Sequence, residues 1–153
     1  MASDHRNSNW AAASITNNSN NDPTQRLVVV SYNLHGFNQG RPGIVDLIST
    51  LSPDIIMVQE HWLTPDNLHK LSEIYDEYFV FGSSAMSECV SSGPLIGRPF
   101  GGTAININKK HVSVTAHLLT SNIIILANCL LITVYMPCVG TAQRDLLCND
   151  ILS

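Results

Sequence analysis

Pro53-Asp54-Ile55-Ile56-Met57-Val58-Gln59-Glu60 decides the fold. Four apolar residues in a row, begun by a proline and closed by Gln and Glu, read as a short strand buried on both faces. Upstream, Leu27-Val28-Val29-Val30-Ser31-Tyr32-Asn33 has the same character and also ends in polar residues. Between the two, Gly36 and Gly40 mark a loop, and Pro42 is expected to open a helix, because its missing N–H would be unsatisfied in a first turn anyway. Ile44, Val45, Leu47, Ile48 and Leu51 follow at helical spacing, and Pro53 stops the helix. Strand, helix and strand in one short stretch predict a right-handed crossover unit with parallel strands.

Further elements extend outward. Thr64-Pro65-Asp66 is expected to start a second helix through Leu68, Leu71 and Ile74, with Thr64 as N-cap. Tyr78 to Phe81 reads as a strand, and Gly82 to Arg98 as a loop. Gly101 to Ile107 alternates and reads as a strand with a tight start. Three more strands are expected over His111–Leu119, Asn122–Asn128 and Leu130–Met136. A final helical stripe runs from Thr141 through Leu146, Leu147, Ile151 and Leu152.

Composition bounds the class. The 153 residues are 44% hydrophobic and 13% charged, with a net charge of −4. An average domain carries about 25% charged residues. The low charge excludes a mainly disordered chain. Eight Lys+Arg give no broad basic footprint, which argues against nucleic-acid binding by bulk charge. It leaves open a metal-dependent site acting on phosphates, which must itself be acidic. Ten of residues 1–25 are Ser or Asn, so this stretch is expected to be a mobile, non-catalytic tail, with the folded part at residues 26–153.

Cys89, Cys129, Cys138 and Cys148 form no C-x-x-C pair, which fits free thiols in a reducing compartment. No apolar run follows the N-terminus, so no signal peptide is expected. The 14 residues from Ile123 to Met136 are nearly all apolar, short of the about 20 that a transmembrane helix needs. The expected location is intracellular, nuclear or cytoplasmic, without a membrane span.

The apolar strands finish in Asn33, in Gln59-Glu60 and in Tyr135. Ligands of open α/β sheets bind outside the carboxyl ends of strands, so Asn33, Glu60 and Tyr135 are candidates for one rim. Taken singly, Glu60 also reads as a solvated loop residue, Asn33 as a turn former and Tyr135 as a core aromatic.

Four motifs in order carry more. Ser31-Tyr32-Asn33-Leu34-His35-Gly36 resembles the S-W-N-x-x-G opening strand of the endonuclease/exonuclease/phosphatase superfamily. Residues 53–60 resemble its P-D-I-x-x-x-Q-E motif, Gly101-Gly102-Thr103-Ala104-Ile105 its G-G-x-A-I strand, and Val134-Tyr135-Met136-Pro137 its x-Y-x-P strand end. Gln59-Glu60-His61-Trp62 and Arg98-Pro99-Phe100-Gly101-Gly102 are most similar to endonuclease domains of non-LTR (LINE-type) retrotransposons.

The resemblance implies a four-layer α/β sandwich of the DNase/AP-endonuclease type and phosphoester cleavage with Mg²⁺ or Mn²⁺, with DNA as partner. It implies that Glu60 binds the metal, that Asn33 helps place metal or water, and that Tyr135 hydrogen-bonds the scissile phosphate. Gln59 would be a supporting hydrogen-bonder, and Gly101 and Gly102 would supply special backbone angles or close approach. His35 reads as a loop residue near the site and His61 as structural, pointing away if the strand continued. Cys138 stands where repair enzymes of the family carry Asn, which favours the retroelement-like branch.

The family also carries G-D-x-N and S-D-H segments, the second holding its acid/base pair. Neither occurs in residues 26–153, and Ser3-Asp4-His5 lies at the wrong end of the chain. The expectation is therefore the N-terminal half of the domain, its first sheet and helices, inactive on its own. One apolar sheet face would then be bare, making an oligomer or aggregate the expected product. Two alternatives stand beside this reading: a non-catalytic remnant or nucleic-acid-binding fragment, and a small α/β protein of unrelated function.

Overall fold

The computed structural model describes residues 10–16, 26–74, 76–94, 97–111, 116–120, 123–126 and 129–133. The decisive stretch forms β3 (Ile55–Gln59), preceded by β1 (Trp10–Thr16), β2 (Arg26–Asn33) and α1 (Phe37–Leu51). A 3₁₀ helix (Pro65–Leu71) leads to β4 (Tyr78–Ser83), the short α2 (Ser87–Ser91) and β5 (Thr103–Asn108). β6 (Ala116–Thr120), β7 (Ile123–Leu126) and β8 (Cys129–Ile132) follow.

Two sheets result. The larger runs β1-β2-β3-β5-β4, and the smaller runs β6-β7-β8. β2 and β3 are parallel with α1 between them, as the crossover pattern requires, and the other pairings are antiparallel. This mixed α/β architecture is the expected fold class.

β2, β3 and β5 bury residues on both faces, and for β2 and β3 this is why their sequences are continuous apolar runs. On one face Val30, Tyr32, Ile56, Val58 and Ala104 pack with Ile44, Leu47 and Ile48 of α1. On the other, Val29, Ile55, Ile105 and Ile107 form a second cluster. The bare sheet face expected from the sequence is not found at these four residues, since none is more than 4% exposed. The chain supplies a second sheet beyond the first, and Thr133, the residue after β8, hydrogen-bonds Gln59 of β3.

Several boundaries differ from expectation, among them α2 within the expected Gly82–Arg98 loop and β6, which starts at Ala116 and not His111. Residues 10–16 are a strand, not part of a mobile tail: β1 pairs with β2 from Trp10↔Tyr32 to Thr16↔Arg26. An edge strand needs backbone partners more than apolar side chains, so a polar neighbourhood does not forbid it. Residues 1–9 and 17–25 of the expected tail lie outside the described residues. α1 begins at Phe37, not at Pro42, because Gly36 (φ 94) serves as its N-cap and its carbonyl accepts from the N–H groups of Gln39 and Gly40. The second expected helix is a 3₁₀ helix, and its N-cap Thr64 makes no side-chain cap bond. At the other end of α1, Ser52 turns left-handed (φ 44) and its N–H bonds Ile48 O, so the chain can enter Pro53. The expected final helix lies outside the described residues.

No helix among the described residues is long and apolar enough to cross a membrane.

Candidate active site at the ends of the parallel strands

Asn33 and Gln59 are the last residues of β2 and β3, and they are paired partners in the parallel register. Strand alternation puts both on the same sheet face as Val29 and Ile55. Gln59 is the hub there. The two N–H groups of its amide nitrogen are shared among Thr133 Oγ1 at 3.1 Å, Ser31 Oγ at 3.2 Å and Met57 O at 3.3 Å, and its carbonyl oxygen accepts from Ser31 Oγ at 3.3 Å. This fixes the strand ends and ties them to the residue after β8.

Past Gln59 the strand stops. Glu60 takes a left-handed backbone (φ 54), as do His35 (φ 49) and Trp62 (φ 54). Non-glycine residues rarely adopt this region, and each costs about 1–3 kcal/mol unless its surroundings enforce it. Here the backbone enforces it. Glu60 N–H donates to Gly102 O at 2.8 Å, Glu60 O accepts from Gly36 N–H at 2.8 Å, and Trp62 N–H donates to Gly101 O at 2.9 Å. Gly101 (φ 62) and Gly102 (φ 85) are themselves left-handed. A Cβ on Gly102 would overlap the His61 ring, so glycine is required both by angle and by space.

His35 draws the two polar strand ends together. Its N–H donates to Asn33 Oδ1 at 2.9 Å, and its Nδ1 lies 3.5 Å from Glu60 Oε2. The Glu60 side chain is 28% exposed and that of His35 66%, so the carboxylate is open to solvent.

His61 does something else. It is fully buried (0% exposed), accepts at Nδ1 from Leu63 N–H at 3.0 Å, and lies with Nε2 3.0 Å from Ser83 O. These partners require the neutral form with the proton on Nε2. Burial pushes its pKa below the usual histidine value, against the opposing pull of the Ser83 and Thr103 backbone groups. Its position follows from the left-handed turn at Glu60, which ends the alternation that sequence reasoning assumed.

Tyr135, the third expected rim residue, lies outside the described residues, as do Cys138 and Ser3-Asp4-His5. Among the described residues no three His, Cys, Asp or Glu side chains gather in one place. The available donors are the Glu60 carboxylate and the Asn33 amide oxygen. That set fits a hard cation such as Mg²⁺, which is bound through one or two carboxylates and keeps several waters. Sequence reasoning missed the part played by His35 in drawing Asn33 and Glu60 together. The signal for it was the His35-Gly36 pair directly after the strand.

A family model described as the Endonuclease/Exonuclease/phosphatase family matches residues 30–145. AP endonuclease LMAP from Leishmania major is similar in structure, with a TM-score of 0.55 at 14% identity over 88% of this chain and 47% of that one. The 3′ phosphatase NExo from Neisseria, solved with a product DNA hairpin, gives a TM-score of 0.49 at 15% identity over 77% of this chain and 46% of that one. The chain thus spans about half the length of these solved structures. No curated protein sequence matches it.

Proposed function

The chain belongs to the endonuclease/exonuclease/phosphatase family, and on that premise we propose that its described strand ends are the metal-holding part of a divalent-metal-dependent phosphodiesterase acting on DNA. The observation that carries the proposal is the meeting of Asn33 and Glu60 at His35, on the ends of adjacent parallel strands. Glu60 is the metal carboxylate, Asn33 places the metal or the attacking water through its amide, and Gln59 supports both strand ends. Tyr135 is proposed to contact the scissile phosphate. The cofactor is Mg²⁺ or Mn²⁺, which when bound offsets the charge of a phosphate as it becomes five-coordinate.

The residues do the positioning. The backbone of Glu60 is held in its turn by bonds to Gly102 O and from Gly36 N–H, which places the start of its side chain before any ligand arrives. The retroelement-like branch is favoured by Gln59-Glu60-His61-Trp62 and by Cys138. Residues 26–153 contain no G-D-x-N or S-D-H segment, and positioned acid/base groups are worth about 10²–10⁴-fold in rate. These residues are accordingly proposed as the first half of the family's domain, holding metal and DNA without turnover on their own.

Plasmid nicking by the purified 153-residue chain with Mg²⁺ tests this together with metal-dependent DNA retention. The expected result is Mg²⁺-enhanced retention, lost in Glu60→Ala, and no nicking. Robust nicking lost in Glu60→Ala would overturn the proposed inactivity, and retention indifferent to Mg²⁺ and Glu60 would favour a non-catalytic binding remnant.

A further inference from the structure

Beside Glu60 a cleft of about 310 Å³ opens between the start of α1, the segment after Glu60 and the Arg98-Pro99 turn. Phe37, Trp62, Lys70 and Arg98 are among its lining residues. The whole chain has 8 Lys+Arg against 12 Asp+Glu, yet the cleft is lined by two of these cations and by no carboxylate. Neither the Lys70 nor the Arg98 side chain has a hydrogen-bond or ion-pair partner among the described residues.

Trp62 is set in place before any ligand arrives. Its left-handed backbone is held by the bond to Gly101 O. Gly36 lies against its ring, where a Cβ would be 2.7 Å from the indole, and the His35 ring sits 4.9 Å away, tilted by 57°. A fixed indole beside two cations that have no partner among the described residues matches a ligand that has both a phosphate and an aromatic base. A phosphate alone would call only for the cations.

We propose that this cleft binds one unpaired nucleotide of a nucleic-acid strand, its base stacked on Trp62 and its phosphate held by Lys70 and Arg98. The proposal rests on the nuclease reading of the neighbouring site, since Trp62 lies two residues from Glu60 and the bound nucleotide would flank the phosphate held there. An unpaired base is required because bases within a duplex are already stacked on both faces, whereas base–aromatic stacking is the general device for binding single strands. The volume suits a single nucleotide, at the small end of the about 300–1,000 Å³ typical of ligand clefts.

The test uses the full chain carrying Trp10→Phe, which leaves Trp62 as the only indole. It is titrated with a single-stranded oligothymidylate in chelator, so that neither metal nor turnover contributes. Saturable quenching of Trp62 is expected. Affinity should fall about tenfold or more in Lys70→Glu with Arg98→Glu, of which Arg98 is exposed and Lys70 half-buried, while melting of the double variant should match the parent. A strand of equal length lacking bases, or the same sequence as a duplex, should bind at least about fivefold more weakly. Equal binding of the baseless strand or the duplex would overturn the proposal, as would affinity unchanged in the double variant. Glu60→Gln should leave this titration unaltered. Failure of the parent chain to bind Mn²⁺, with oligonucleotide binding intact, would therefore contradict the metal site alone.

Discussion

The Nδ1 of His35 lies 3.5 Å from Oε2 of Glu60, and both residues sit in the left-handed backbone region. Each follows a parallel strand, His35 two residues after β2 ends and Glu60 directly after β3. The two strands thus break in the same way at the same rim. The cost of two strained residues is offset by backbone bonds running from Gly36 to Glu60 and from Glu60 to Gly102. Rim geometry is therefore a property of three chain segments acting together, and it can be tested segment by segment.

Gly102→Ala should be strongly destabilising. The new Cβ would meet the buried His61 ring, and φ 85 is unsuited to alanine. Overpacking and backbone strain together predict a loss of about 2–4 kcal/mol, read as a lower midpoint in urea. A midpoint within error of the parent would show that the Gly101-Gly102 contact does not hold the rim.

His61 predicts a pH dependence with a defined sign. Its folded pKa is depressed by burial, so the unfolded chain takes up the proton first as pH falls. Stability from this residue is complete above the ordinary histidine value of about 6.5. It should decline as pH drops below that value, until the lower folded pKa is reached. His61→Gln, which can still accept from Leu63 and donate to Ser83, should flatten the slope of melting temperature between about pH 5.5 and 7. An unchanged slope in that variant would place the titration elsewhere.

Gln59 and Thr133 should be energetically coupled. Their 3.1 Å hydrogen bond joins β3 to the residue after β8. A double-mutant cycle with Gln59→Ala and Thr133→Val should return a coupling of about 0.5–1.5 kcal/mol. Zero coupling would mean that the bond contributes nothing to the join.

Much of this was readable from residue patterns, and the exceptions have physical causes. Leu27 to Asn33 and Ile55 to Gln59 announce themselves, because strands buried on both faces must be apolar throughout. The helix stripe Ile44, Leu47 and Ile48 is legible for the same reason. β1 was hidden: Trp10 and Ala11 are exposed, and an edge strand held by backbone bonds leaves no apolar period. Pro42 misled, because a proline is a good first-turn residue but does not say where the turn begins, and Gly36 had already begun it. Glu60 was found by its place at a strand end. Its left-handed turn, and with it the burial of His61, was not legible, since that turn depends on carbonyls of Gly101 and Gly102 some forty residues away in sequence.

The central claim is that Glu60 and Asn33 together hold a divalent cation, and Mn²⁺ binding followed by electron paramagnetic resonance tests it most directly. Titrating Mn²⁺ into the purified chain should show one bound ion that Mg²⁺ displaces. Glu60→Gln should weaken that binding by at least about tenfold, the loss expected when a carboxylate ligand is removed, and Asn33→Ala should weaken it by a smaller factor. Parent and Glu60→Gln proteins that bind Mn²⁺ equally well, both with an intact fold, would contradict the account.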